Sequence, residues 1–308
     1  MAPGLAPAGE RRHRLTRMTP PSRSAALPRT SAMTSPSPAA SRINPAIVTY
    51  MVLVHALAAS AFFLPWPRHA LPIALALYVL IGLGTTVGLH RLISHRAFRC
   101  PRAVEYALVT LAMLTAQGSP LLWAATHRIH HARTDADGDV HSPLRSFWHA
   151  HMGWILDDAS THADDWKTWC RDLAHHRYYH WLLRYRLVPQ VAGALLLGLV
   201  LGPRALPACF FLPVVLWMQS TYCVNSVCHL RRFGSRSHAT RDESRNVWWV
   251  SVLALGEGWH NNHHAFPGSA RHGQRWWQVD AGWALIRLLE RVGLAQDVRL
   301  PGQSRASR

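Results

Sequence analysis

Charge is scarce in this chain, and negative charge scarcer still: 16 Asp and Glu stand against 33 Lys and Arg, and charged residues make up 16% of 308 positions. The resulting balance, +17 at neutral pH, suits either nucleic acid or an anionic lipid surface. A contiguous basic stripe is missing. The arginines flank apolar runs instead, which sets nucleic acid aside as a partner. The five cysteines, Cys100, Cys170, Cys209, Cys223 and Cys228, contain no C-x-x-C pair and are odd in number. That excludes a complete disulfide framework and fits reduced thiols in or beside a membrane. The first 43 residues also lack the continuous apolar core of a secretory signal.

Apolar residues are abundant, at 49% with 14 Trp, and they are bunched into runs of spanning length. The chain therefore reads as an all-α, polytopic membrane protein. Four spans near the ~20 residues needed to cross the hydrocarbon are expected, at 46–64, 72–89, 187–202 and 205–224. Short connections pair them as two helical hairpins. The third is the shortest and begins next to a proline. The run 103–114 carries Glu105 and is too short to span, so it is expected as a helix at the interface or packed within the protein. Residues 1–43, rich in Pro, Ser, Ala and Arg, read as a disordered basic tail, with Met18 and Met33 as alternative starts. Seven arginines against Glu10 place that tail in the cytoplasm. The remainder divides into a membrane domain at 44–300 and a loose tail at 301–308. Within it, 90–186 and 225–300 form a cytosolic helical cap, and an amphipathic segment, 276–292, closes the fold.

Histidine is the informative residue. Gly256-Glu257-Gly258-Trp259-His260-Asn261-Asn262-His263-His264 carries a His-x-x-His-His pattern, which recurs at His127, His130 and His131; His90 and His95 form a third cluster. On this topology every cluster falls on the cytoplasmic side, so all can converge. Positions i, i+3 and i+4 share one face of a helix, so each His-x-x-His-His set can enter one pocket. His90 and His95 are five apart, roughly 140° on an ideal helix, and need the frayed end of the second span to meet. His55 is expected to make a buried polar contact to a neighbouring helix. His149, His151, His175, His176 and His180 are expected as solvated or interfacial cap residues. Eight histidines exceed one ion's needs, since a tetrahedral zinc takes four ligands. Two metals, each with an open position, follow. Imidazoles with open positions suit iron doing oxygen chemistry, and zinc and copper accept the same ligands.

His90-Arg91-Leu92-Ile93-Ser94-His95-Arg96, His127-Arg128-Ile129-His130-His131 and 256–267 together resemble the three histidine boxes of the integral-membrane fatty acid desaturases, in order and separation most like the acyl-CoA delta-9 branch in a bacterial form. Asp139-Val140-His141-Ser142, Gly153-Trp154 and Asn225-Ser226-Val227-Cys228-His229-Leu230 extend the likeness, which runs from about 45 to 275. It implies His229 as a ninth metal ligand and Asn225 as a contact to a metal through water. The implied activity is O2-dependent. Two iron ions accept external electrons, and two hydrogens leave adjacent methylenes of a saturated acyl chain, giving a cis double bond and water. An unactivated C–H bond offers no polarity to grip, so an apolar tunnel must position the chain. Trp123, Trp148, Trp154 and Trp259 are candidate walls or interfacial anchors. Glu257, Asp135, Asp137 and Asp139 are candidate acceptors of the imidazoles' outer N–H groups, or salt-bridge partners.

Departures and alternatives bound the resemblance. Ile93 stands where animal members carry an aromatic residue, so chain-length preference does not transfer. No cytochrome b5 domain is fused, so the electron donor is expected as a separate protein: a ferredoxin, a cytochrome b5-like protein or a flavin reductase. The acyl carrier can be CoA, an acyl carrier protein or a membrane lipid. The expected location is a bacterial inner membrane with the site on its cytoplasmic side. A membrane di-iron hydroxylase shares similar boxes, and a His-rich metal carrier is the non-enzymatic alternative, although transport sites sit nearer the midplane.

Overall fold

A computed structural model of the chain describes Met1 and residues 43–157 and 165–303. The expected basic tail therefore lies almost wholly outside the described residues, as do 304–308. Among the described residues every regular element is helical, and strand-type pairing is limited to isolated bridges.

Helix α1, Pro45–Ala59, opens where sequence rules place a start: Pro45 sits in the first turn, and the Asn44 side chain accepts from Ala46 N at 3.0 Å and Ile47 N at 3.2 Å. One further turn carries the apolar run to Phe62. Helix α2, Ala70–Leu83, does not stop near 89. It continues without a break as a π-helical run, Gly84–Ser94, and so delivers His90 on the span itself. Between Pro207 and His229 the chain is again continuously helical, and α7 (Leu212–Ser226) forms most of that length. The labels between are α3 (Arg102–Met113), α4 (Pro120–Arg133), α5 (Arg177–Arg184) and α6 (Val188–Leu201).

Among the described residues three helices, Pro45–Phe62, Ala70–Ser94 and Pro207–His229, are long and apolar enough to cross a membrane. A fourth crossing exists only if α5 and α6, bent by 77° at their junction, act as one. Their outward faces carry exposed Val52, Leu53, Leu71, Leu75, Leu195 and Leu199, an apolar surface that water does not tolerate at this extent. Inward, Trp217 is fully buried, meets Tyr78 edge-on at 5.5 Å and donates to Thr85 Oγ1 at 3.1 Å.

Of the two expectations for 103–114, the second holds: α3 is packed within the protein. Gly84 and Gly88 make this contact, because a Cβ at Gly84 would stand 2.6 Å from Ala112 N and one at Gly88 2.9 Å from Leu108 Cβ. Two small residues one turn apart let two backbones approach closely. After α7 an irregular segment, 230–245, leads to α8 (Trp248–Leu253), α9 (His260–Ala265) and α10 (Ala281–Arg291), the last lying within the expected amphipathic segment. The turn into α9 requires Gly256 at φ +113°, where a Cβ would fall 2.5 Å from Asp280 Oδ1.

Candidate metal centre

The π-helical run solves the problem of His90 and His95. Its i to i+5 hydrogen bond, His95 N to His90 O at 3.1 Å, closes a wider turn, which brings residues five apart onto nearly the same side. Their rings lie 4.9 Å apart by centroid. A frayed helix end is not needed.

The histidines gather into two groups, within each of which the ligating atoms all lie within 4.8 Å of one another: His90, His95, His127, His131 and His263 in one, and His130, His229, His260 and His264 in the other. The groups adjoin, with the His131 and His264 rings stacked at 4.5 Å. Neither box serves a single pocket as its face-sharing pattern had led us to expect. In each, the i and i+4 histidines stay together and the i+3 histidine crosses to the other group. The reason is angular: positions i+3 and i+4 flank position i on opposite sides and differ by about 100°, so one short helix feeds two neighbouring sites.

The outer ring nitrogens identify what these groups are built for. Nδ1 of His90 meets Glu257 Oε2 at 2.5 Å, His130 meets Asp139 at 2.9 Å, and His229 meets Asp135 and His264 meets Asp242, both at 3.0 Å. An ionised carboxylate only accepts, so each of these imidazoles carries its proton on Nδ1 and turns a bare Nε2 lone pair inward. Those inner nitrogens then face one another. His260 Nε2 lies 3.0 Å from His229 Nε2 and 3.0 Å from His264 Nε2, and one N–H cannot satisfy both. His130 Nε2 is buried with no hydrogen-bond partner among the described residues. In the first group His263 Nε2 lies 3.1 Å from His90 Nε2 and 2.8 Å from His131 Nε2. Converging lone pairs in a buried site repel unless a cation sits among them, so the residues fit a metal pair. The all-nitrogen donor sets suit a first-row transition metal rather than magnesium or calcium.

Burial, with the mutual proximity of the rings, holds His95, His127, His130, His131, His260 and His263 well below the usual imidazole range. Burial also pushes up the Asp242 carboxyl, but bonds from His264 and Ser244 more than reverse this and keep it ionised. The sign for stability follows. The unfolded chain takes up protons below about 6.5 that the folded chain refuses, so stability rises with pH through that range and falls on acidification. The unfolding temperature of the purified protein in detergent is expected to fall as the pH is lowered through about 6.5.

Other candidates distribute unevenly. Asn225 lies in the last turn of α7, four residues before His229, half-buried and with no side-chain hydrogen bond among the described residues. Asp137 is exposed, unlike Asp135, Asp139 and Glu257. Trp123 stacks on His127 at 5.2 Å, Trp154 lies 5.4 Å from His141, Trp259 donates to Val279 O at 2.7 Å, and Trp148 is exposed. His55 reaches Gln219 on α7 at 3.0 Å, as expected. His176 is not solvated: it is buried and accepts from Arg102 at 2.6 Å. His151 likewise binds Ser226 and Gln219, both at 2.9 Å.

Sequence reasoning missed a buried charged hub. Arg91 is wholly buried and donates to Ala270 O at 2.9 Å, Glu257 at 3.2 Å, Asp280 at 2.8 Å and His272 Nδ1 at 3.1 Å. Burial beside Arg91 depresses His272 to about 3, so its imidazole is neutral. His272 and Asp280 lie in a stretch without a spacing pattern. Asp242 was missed for the same reason, standing 22 residues before its partner His264.

The comparisons with known proteins agree with this geometry. A family model described as fatty acid desaturase matches residues 64–297. The sn-1 stearoyl-lipid 9-desaturase of Anabaena variabilis is 44% identical over 232 residues, 75% of this chain and 84% of that protein. Delta-9 acyl-lipid desaturase 1 of Arabidopsis thaliana is 42% identical over 248 residues, 80% of each. The palmitoyl-monogalactosyldiacylglycerol delta-7 desaturase of the same plant is 39% identical over 265 residues, 85% of this chain and 70% of that protein. With the match to the family model covering most of its length and the histidine groups in place, the chain belongs to the fatty acid desaturase family.

Proposed function

We propose that this desaturase uses two iron ions to place a cis double bond at the delta-9 position of a saturated acyl chain esterified to a membrane lipid. The balance is R–CH2–CH2–R′ plus O2, two electrons and two protons, giving R–CH=CH–R′ and two waters. The observation that carries the reading is the pair of adjoining groups of five and four imidazoles, in a chain whose relatives above bear acyl-lipid names. Those names favour the lipid ester over CoA as carrier.

In this reading His90, His95, His127, His131 and His263 hold one ion. His130, His229, His260 and His264 hold the other, with Asn225 reaching it through water. When bound, the ions supply the redox chemistry that activates O2. The protein's own share is placement. Glu257, Asp139, Asp135 and Asp242 lock four imidazoles by their outer N–H groups, which fixes tautomer and ring orientation together. Trp123, stacked on His127, walls the first group with an apolar face and keeps water from the reacting methylenes.

The domain that does this is 44–300, between tails at 1–43 and 301–308. It crosses the membrane four times, the bent pair Arg177–Leu201 counting as the third crossing, with the cap and both metal groups on the cytoplasmic side of a bacterial inner membrane. A separate protein, such as a ferredoxin, a cytochrome b5-like protein or a flavin reductase, donates the electrons. The test is the lipid profile of an expressing host. New delta-9 monoenes in intact glycerolipids, formed only in air, are expected; hydroxylated acyl chains would assign the protein to hydroxylation instead. Monoenes that arise on acyl-CoA before lipid assembly would overturn the choice of carrier.

A further inference from the structure

We propose that the segment 230–245 is the docking surface for an acidic one-electron carrier protein. This rests on the desaturase reading, since that reaction draws two external electrons for each double bond, one per docking of a reduced carrier. The segment holds five arginines and two carboxylates. Both carboxylates are engaged: Asp242 binds His264 at 3.0 Å, and Glu243 pairs with Arg231 at 2.7 Å and Arg245 at 3.6 Å. Arg232, Arg236 and Arg241 are exposed and meet no carboxylate among the described residues. Arg232 lies over the Phe233 ring and Arg236 donates to Thr240 O at 2.6 Å. The outward face is thus net positive: Asp242 turns inward to His264, and Glu243, paired at the surface with Arg231, is outnumbered by the arginines.

Position gives that charge its purpose. Asp242 joins this segment directly to His264, and Asp135 accepts both Glu243 N at 2.8 Å and His229 Nδ1 at 3.0 Å. Asn261, beside His260, accepts from Ser237 N and His238 N, both at 2.8 Å. The segment is therefore a wall of the second histidine group, with a single carboxylate, Asp242 or Asp135, between it and His264 or His229. A carrier seated there delivers its electron over a short, bonded path. No large apolar side chain within the segment itself is exposed, although exposed Trp248, Val252, Trp277 and Val279 border it at Gly234 and Ser235. The bonded path from the segment to His264 and His229, which a bilayer would not use, selects a protein partner.

The test uses full-length protein in neutral-lipid nanodiscs, with an acidic [2Fe–2S] ferredoxin and an acidic cytochrome b5 haem domain as probes. Wild type is expected to bind at least one of them, more weakly as salt rises. The combined Arg232→Glu, Arg236→Glu and Arg241→Glu variant is expected to lose roughly tenfold or more in that affinity while keeping its iron content. The corresponding lysine variant should retain binding. Unchanged affinity in the reversal variant, or no binding of either probe to wild type, would overturn the proposal. So would a variant whose only loss is adsorption to phosphatidylglycerol vesicles. If monoenes form in the host and carrier affinity ignores the reversal, the docking surface alone is wrong; if no monoene forms, the underlying activity is.

Discussion

His263→Ala is expected to reduce double-bond formation to the background of a host without the gene, and to lower bound iron by about one ion per chain. The side chain is 1% exposed and its Nε2 lies within 3.1 Å of both His90 Nε2 and His131 Nε2. Loss of one ligand from a buried centre is not graded like loss of a supporting carboxylate, which costs roughly 10–100-fold in affinity or activity. Metal analysis of the purified variant, alongside the lipid profile, checks both halves. Full iron with full activity would remove His263 from the ligand set.

Glu257→Ala is expected to damage both stability and the site, because this one carboxylate holds His90 at 2.5 Å, accepts from Arg91 at 3.2 Å and also accepts from Thr86. Burial pushes its carboxyl up, yet His90, His272 and Arg91 hold it well below the usual carboxylate range. It is ionised where it sits. Removing it leaves the wholly buried Arg91 guanidinium with Asp280 as its remaining carboxylate. Breaking a buried pair this way costs about 3–5 kcal/mol. The Glu257→Gln variant keeps an acceptor for His90 without the charge, and should recover part of the metal affinity and little of the stability. Thermal unfolding of wild type and both variants, with iron content, separates the two effects. Equal stability in all three would contradict the hub.

The lines of the centre were legible wherever local periodicity carried them. His127, His130 and His131 stood out because i, i+3 and i+4 is a helical pattern, and the apolar run ending near His90 showed where a span delivers a ligand. What periodicity hid was the direction of the middle histidine in each box. The sequence marks a shared face, and only the fold, which sets the rings of α4 against those of α9, decides that a 100° offset divides a box between two groups. The π-helical turn at His90 and His95 was likewise unreadable, since no local residue pattern marks it; the run that carries it packs closely on α3 through Gly84 and Gly88. His229 emerged from resemblance, not spacing. Arg91, His272 and Asp280 lie far apart in sequence, and a buried ion-pair hub of that kind leaves no repeat to find.

The third crossing shows the same limit. Residues 187–202 were the weakest of the expected spans, and α6 is short because Pro189 in its first turn and the 77° bend from α5 break what would otherwise be a longer helix. Composition gives the apolar run; the bend is a tertiary fact.

The central claim is that two metal ions occupy adjoining all-histidine groups. Crystals or frozen particles of the iron-loaded protein, read by anomalous scattering at the iron edge or as density beside the imidazoles, test it directly. The account predicts two iron peaks, one among His90, His95, His127, His131 and His263, the other among His130, His229, His260 and His264. A single peak, or iron bound away from these nine side chains, would contradict it.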